Sequence, residues 1–354
     1  MNISVALCAL ACGIACSVVL LHILVLSRHH EAAGPSLWQR REAKVYRLPT
    51  RRRAAHLRHC ARETVYPRTE FAVMSMLSHS FHLYGVSAMK LATTVRRFTN
   101  ADLIMLLVET KERNAKETAI TRRQKAQLER SGWKTCTVPA IGGPPQTRER
   151  NRFLDALLYT KFTAWKFTEY EGVLFLDSDT LVVGDITPAF LDIAPLMRRT
   201  NKSLAAARDR PADATCRLGG AWNFFNAGVL LLIPDTQTFR ALEHSIHHVA
   251  HDARYAEQDL LNVLYGPGNH EWLELPFVYN AIVVSKYCEP ELWRENRDHI
   301  KIVHYTTTKG WTYSQHWDKL EDPFMCWWWD VQDLCMYWES VATAPLLGQG
   351  HSTT

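Results

Sequence analysis

Short apolar runs alternate with stretches of helical periodicity along most of the chain. Phe71-Ala72-Val73-Met74-Ser75-Met76-Leu77 reads as a first strand, followed by a helix over about 85–98 and a second strand over 103–108. Residues 114–131 read as a charged surface helix closed by Gly132, and Gly142-Gly143-Pro144-Pro145 as a loop. A helix over about 152–169 carries Leu154, Leu157, Leu158, Phe162 and Trp165 on one stripe. The run Val173-Leu174-Phe175-Leu176 follows it directly, and two more apolar strands cover 203–207 and 227–233. Strands alternating with helices, with no internal repeat, predict an α/β sheet with helices on its faces.

The start of the chain has a different pattern. Residues 3–26 carry no formal charge and are almost all apolar, and a membrane-spanning helix needs about 20 such residues. We read 1–27 as an uncleaved signal-anchor transmembrane segment, with a cleaved signal peptide as the alternative. Residues 28–63 form a basic stem without clear periodicity, 64–340 the folded domain, and 341–354 a flexible tail.

Charge sharpens this division. Of the formal net charge of +5, the segment from Arg28 to Arg62 carries ten Lys/Arg against two Glu, a local +8 that leaves the rest at −3. A slightly acidic body argues against nucleic-acid binding through a broad basic face. The basic residues follow the span, so the positive-inside rule favours a cytosolic body. Large domains translocate regardless of charge, and that argument does not decide orientation.

Cys8, Cys12 and Cys16 fall at helical spacing within the span. The other six, Cys60, Cys136, Cys216, Cys288, Cys326 and Cys335, permit disulfides but match no zinc module. Asn201-Lys202-Ser203 is an N-glycosylation sequon, which favours a lumenal body.

The candidate chemistry sits where the run 173–176 stops at Asp177-Ser178-Asp179-Thr180. Two carboxylates at the carboxyl end of a buried strand occupy the position where open α/β sheets place ligands, and they need a counter-charge. A hard divalent cation, magnesium or manganese, is the natural partner. A strand ending in Asp-x-Asp-x-Thr also opens a dehalogenase-type phosphatase, with the first aspartate as nucleophile. The mid-chain position of the pair argues against that reading.

Further motifs follow in order: Tyr159-Thr160-Lys161-Phe162, Phe225-Asn226-Ala227-Gly228-Val229, Glu257-Gln258-Asp259-Leu260-Leu261-Asn262, Leu275-Pro276-Phe277-Val278-Tyr279-Asn280, and Ile302-Val303-His304-Tyr305 leading to Lys309-Gly310-Trp311. With the Asp-x-Asp pair they resemble glycosyltransferase family eight, the glycogenin-like retaining transferases, over about 71–311. The resemblance implies a GT-A fold, a Rossmann-like mixed sheet flanked by helices, and sugar transfer from a UDP-sugar donor with manganese (magnesium as the substitute). It implies that Asp177, Asp179 and His304 bind the metal. Imidazole beside carboxylates suits manganese better than magnesium.

By the same resemblance Lys309 contacts the leaving phosphates, although Gly310 replaces the more usual proline. Lys161 reaches toward the donor, and Asp209 grips donor sugar hydroxyls. Asn226, Ala227 and Gly228 form the turn beside the sugar, and Gln258 and Asp259 lie beside the anomeric carbon. Ser178, between the metal acids, joins the donor set. The uridine lies against Leu77, Ser78 and His79, where the family often has Thr-Asn in place of the last two. A glutamine is a poor nucleophile, so front-face attack is expected, with the leaving phosphate taking the acceptor's proton.

The implied partners are the UDP-sugar, a glycan, glycoprotein or glycolipid acceptor, and the membrane through the N-terminal helix. The expected setting is the Golgi or endoplasmic reticulum membrane, single-pass type II with a lumenal catalytic domain. An inactive sugar-nucleotide or glycan-binding protein is the reading from a different class.

Three other features have a plainer reading beside a functional one. His244, His247, His248 and His251 share one helical face, read as solvated, not zinc-binding. Trp327-Trp328-Trp329 reads as part of a docked helix before it reads as a sugar platform. Tyr287 lies seven residues after Asn280, where glycogenin-like proteins can carry a self-glycosylated tyrosine, but an external acceptor suits a membrane anchor better.

Overall fold

The computed structural model describes residues 47–50, 57–78, 81–109, 120–144, 157–210, 216, 223–266, 268–269 and 271–306. The expected span, most of the stem and the tryptophan triplet lie outside these residues, as do His79 and Lys309. Among the described residues no helix is long and apolar enough to cross a membrane.

The elements follow in order. β1 (Phe71–Leu77), α1 (Val86–Arg96), β2 (Asp102–Glu109), α2 (Arg122–Arg130) and β3 (Lys134–Pro139) come first. A 3-10 helix (Leu157–Lys166), β4 (Gly172–Leu176), β5 (Thr180–Val182), α3 (Ala194–Arg199), β6 (Leu204–Arg208) and β7 (Phe225–Leu232) follow. Then come α4 (Thr236–His248), α5 (Ala256–Tyr265), β8 (Trp272–Leu275), β9 (Ala281–Ile282), α6 (Ser285–Cys288), α7 (Pro290–Asn296) and β10 (Ile302–His304).

Seven strands among the described residues form one sheet in the order β3-β2-β1-β4-β7-β6-β8. β1 runs parallel to β2 and β4, while β7 is antiparallel to both β4 and β6. β4 and β7 are buried at every position, which is why they read as continuous apolar runs with no period-2 alternation. This is a mixed sheet flanked by helices, as the resemblance implies for a GT-A fold.

The chain reverses immediately after β4, and β5 joins a small second sheet in the order β5-β10-β9. In its antiparallel register His304 stands opposite Thr180, beside Asp179. The second sheet therefore carries a histidine from near residue 300 back to the end of β4.

The segment 157–166 departs from the amphipathic α-helix expected over 152–169. It is a 3-10 helix buried at eight of its ten positions, Lys161 included, with Leu158 and Lys166 partly exposed. α4 and α5 pack against it and Lys161 reaches Ala227 O of β7, so little is left for a polar stripe, and Lys161 is accommodated by carboxylates. The helix expected over 114–131 is described from Arg122, because Thr121 and Gln124 form a reciprocal capping box that sets its start.

The described end of the basic segment 28–63 packs on the sheet. Leu48 and Leu57 are buried, and Ala61 N donates to Thr137 O at 2.8 Å along edge strand β3. Cys60 is bonded to Cys136 of β3. Glu63 accepts from Thr137 N and Oγ1, both at 2.7 Å, and pairs with Lys125 at 2.6 Å. A paired edge strand is shielded from edge-to-edge association. A second disulfide joins Cys216 to Cys288.

Candidate metal and donor site

One tight turn and two cross-strand hydrogen bonds build the centre of the site at the carboxyl end of β4. Asp177 N donates to Gly228 O at 2.8 Å, fixing the acid pair against β7. Asp177 O accepts from Thr180 N at 3.1 Å and from Thr180 Oγ1 at 2.8 Å, closing the Asp-x-Asp turn. Tyr305 N donates to Asp179 O at 3.0 Å, tying β10 to the same turn. Ser178 contributes its carbonyl to the Ser87 hydroxyl of α1.

This geometry gathers ligand atoms of Asp177, Asp179 and His304 within 4.8 Å of one another, the one such group among the described residues. His304 Nε2 lies 3.3 Å from Asp179 Oδ1. The histidine tautomer follows from its other nitrogen. Nδ1 lies 3.0 Å from Asn280 Oδ1, while Asn280 Nδ2 donates to Asn226 Oδ1 at 3.0 Å. Asn280 therefore accepts from a protonated Nδ1, which leaves Nε2 as the ring nitrogen that would face a metal beside the carboxylates. Metal-ligating histidines are commonly oriented by such an outer hydrogen bond. Two carboxylates and one imidazole fit a hard divalent ion such as manganese or magnesium.

The polar chain continues beyond the metal group. Asn226 Oδ1 also accepts from Gly228 N at 2.9 Å, so its amide nitrogen faces Asp209 Oδ1, at 3.2 Å. Gln258 Oε1 accepts from Ala227 N at 2.9 Å, and Nε2 donates to Asp209 Oδ2, also at 2.9 Å. The Asn226 and Gln258 amides are each oriented by a backbone N–H and that of Asn280 by Asn226, so the chain from His304 to Asp209 has one consistent polarity. A β-bulge in β6 between Ala206 and Arg208 re-aims the strand end that carries Asp209. Burial pushes the Asp209 carboxyl above its ordinary range, opposed by hydrogen bonds from Arg210 N, Asn226 and Gln258.

Lys161 lies beneath this layer, wholly buried. Its Nζ lies 2.6 Å from Glu257 Oε1, 2.9 Å from Asp177 Oδ1 and 2.8 Å from Ala227 O. Burial alone would lower its pKa, but Asp177 and Glu257 outweigh burial and raise it, so the ammonium stays charged. Lys161 thus braces a metal ligand from behind.

Of the residues expected at the site, Asp177, Asp179, His304, Lys161, Asp209, Asn226, Ala227, Gly228 and Gln258 lie in one hydrogen-bonded network. Asp259 is directed elsewhere, with Oδ2 accepting from Asp252 N at 2.5 Å. Leu77 is buried at the end of β1 and Ser78 half-buried beside it.

Glu257, Asn262 and Asn280 lie within the sequence motifs, where nothing in the pattern assigns them a role. Glu257 is the buried partner of Lys161, and Asn280 selects the tautomer of His304. Asn262 clamps Phe225 through both its N–H, 2.8 Å, and its carbonyl, 2.9 Å. A lysine in an apolar stripe is the signal for Glu257, since a buried ammonium requires a carboxylate.

His244 and His248 stack at 3.9 Å on an exposed face, in no metal group among the described residues. His251 accepts instead at Nε2 from Tyr159 OH at 2.7 Å, because its Nδ1 donates to Val249 O at 2.8 Å.

The chain belongs to glycosyl transferase family 8, whose family model matches residues 72–315. It is 28% identical to glycogenin-1 of Caenorhabditis elegans over 178 residues, 46% of this chain and 36% of that protein. It is 27% identical to galactinol synthase 1 of Solanum lycopersicum over 197 residues, 49% of this chain and 57% of that one. UDP-glucuronate:xylan alpha-glucuronosyltransferase 1 of Arabidopsis thaliana is 23% identical over 248 residues, 68% of this chain and 32% of that protein. The matches therefore span between about a third and just over half of these relatives' lengths. Among solved structures, the glycosyltransferase GlyE of Streptococcus pneumoniae TIGR4 aligns with a TM-score of 0.47 and 19% identity, covering 77% of this chain and 63% of that one.

Proposed function

We propose that this glycosyltransferase is a metal-dependent, retaining enzyme that moves a sugar from a UDP-sugar donor to a glycan, glycoprotein or glycolipid acceptor. The carrying observation is that the prepared ligand group Asp177, Asp179 and His304 shares one oriented hydrogen-bond chain with Asp209. Asp177, Asp179 and His304 would hold manganese, which neutralises charge on a departing diphosphate. A UDP-glucuronate:xylan alpha-glucuronosyltransferase among the relatives supports nucleotide-sugar chemistry.

The residues divide the work. Among the described residues Asp209 accepts from three donors, Arg210 N, Asn226 Nδ2 and Gln258 Nε2. A carboxylate has about four acceptor positions, so one remains for a sugar hydroxyl. Gln258 is held at both ends of its amide, which supports a role in orienting and speaks against attack on the anomeric carbon. Lys161 is fully paired and buried, which suits it to hold Asp177 in place, not to shuttle protons. Retention then follows from front-face departure and attack, with the leaving phosphate accepting the proton.

The setting we propose is the Golgi or endoplasmic reticulum membrane, type II, with the body lumenal. Two disulfides in the folded region support an oxidising compartment.

The test is UDP release from a donor panel, with manganese and then with chelator. Manganese-dependent release is expected, and Asp177→Asn should abolish it. Chelator-insensitive turnover, or unimpaired Asp177→Asn, overturns the proposal.

A further inference from the structure

The residues around Asp209 carry information about the donor sugar itself. This inference rests on the proposed nucleotide-sugar activity and deepens it. Three of the charge groups near the site are internally balanced. A divalent cation balances its two acidic ligands, Asp177 and Asp179. Lys161 is matched by Glu257 at 2.6 Å. Arg210 is matched by Glu289, whose two carboxylate oxygens both lie against Nη1, one at 2.6 Å. Among the described residues Asp209 is left as the uncompensated charge, buried, with three donors on it and an acceptor position unused.

A group placed against such a carboxylate must bring a hydrogen. A hydroxyl does so, and a second carboxylate does not and is repelled at short range. Arg210 is the cation placed to reverse this. It follows Asp209 in sequence, its backbone N–H already binds Asp209 Oδ1 at 2.9 Å, and its guanidinium is largely buried. The guanidinium packs over the Phe277 ring at 5.1 Å, three residues from the Asn280 that orients His304. Glu289 occupies it at Nη1, and the Glu289 side chain is itself only 15% exposed. A guanidinium so matched does not serve as a receptor for a substrate carboxylate.

We propose that the sugar side of this site selects a neutral, hydroxyl-bearing sugar over a uronate, and that Glu289 enforces the choice by occupying Arg210. The specificity-determining residue is then not at the metal but on the turn between α6 and α7.

The test uses the full chain with manganese and four donors, UDP-glucose, UDP-galactose, UDP-xylose and UDP-glucuronate. Donor affinity is read by calorimetry and turnover by UDP release. At least one neutral donor should exceed UDP-glucuronate by about tenfold or more in kcat/KM, the scale of an unfavourable like-charge contact. In Glu289→Gln, the ratio of UDP-glucuronate to neutral-donor turnover should rise severalfold. In Glu289→Gln combined with Arg210→Ala, that gain should disappear. The ratio is taken within one preparation, so a change in folded fraction cancels. Wild-type preference for UDP-glucuronate overturns the inference while leaving the UDP-sugar reading intact. An unchanged ratio in Glu289→Gln removes Glu289 from the account. Absence of both binding and release for every donor overturns the underlying reading, and this inference with it.

Discussion

Gly228 and His304 are in direct apposition. A Cβ placed on Gly228 would lie 2.0 Å from His304 Cε1 and 2.8 Å from each ring nitrogen. The imidazole fills the space that a side chain on β7 would take, which is how a strand of the main sheet and a strand of the small sheet approach closely enough to share one metal group. Glycine is required here for close approach; its tolerance of unusual backbone angles is not the reason.

Gly228→Ala should therefore displace the imidazole. A tenfold or greater loss of manganese affinity is expected, the lower end of the effect of disturbing a ligand's support. Calorimetric titration with manganese checks it, with thermal unfolding as the control for folding. Wild-type affinity in a folded Gly228→Ala protein would show that His304 is not a ligand.

Asn280 holds His304 through its Oδ1 and Asn226 through its Nδ2. Asn280→Ala should weaken manganese binding by about 10–100-fold. Asn280→Asp keeps an acceptor for Nδ1 and should recover part of the loss. Equal affinity in both variants would mean that the tautomer is set by another group.

Lys161 and Glu257 are a buried ion pair, and removing one member strands the other. Lys161→Ala should destabilise the protein by about 3–5 kcal/mol, because Glu257 is left buried and unpaired. Glu257→Gln should cost less, since Lys161 keeps Asp177 at 2.9 Å. Denaturant unfolding of both variants gives the ranking, and the reverse order would contradict the pairing.

Asp209 supplies a pH signature. Its folded-state pKa lies above the ordinary 3.8, raised by burial. The folded protein therefore binds this proton at a higher pH than the unfolded chain. The contribution to stability is present at low pH and is lost as pH rises from the ordinary value through the raised one. Asp209→Asn removes that slope, so its stability relative to wild type should grow over the same window. Parallel melting profiles across that window would rule the assignment out. The proposed acceptance of a sugar hydroxyl by Asp209 calls for the ionised form, so turnover should fall on the acid side of that window.

Cys60–Cys136 closes a loop of 76 residues and fastens the basic segment to edge strand β3. Replacing both cysteines with serine should cost about 2–4 kcal/mol, chiefly by releasing the unfolded chain. Urea unfolding of the double variant measures it. A loss well under 1 kcal/mol would mean that Glu63 and Leu57 hold the segment without the bond.

The amino-acid sequence alone determined the five strands written as apolar runs and the carboxylates; β3, β5, β8, β9 and β10 emerged only in the folded structure. β1 and β4 lie where their apolar runs placed them, because a strand buried on both faces writes its burial into consecutive residues. Asp177 and Asp179 are visible because charge ends such a run abruptly. The order of the motifs brought in His304, Asp209, Asn226 and Gln258. Tertiary structure alone decided the rest. Lys161 and Glu257 are 96 positions apart, and their pairing depends on how a 3-10 helix and α5 pack on the sheet. The 3-10 geometry was hidden because an element buried at eight of its ten positions has little polar face to give it a period. The tautomer of His304 depends on Asn280, whose own amide is oriented by an asparagine of β7. Periodicity reports which face of one element is buried; a hydrogen-bond chain is a property of several elements together, and its polarity exists only once they are assembled.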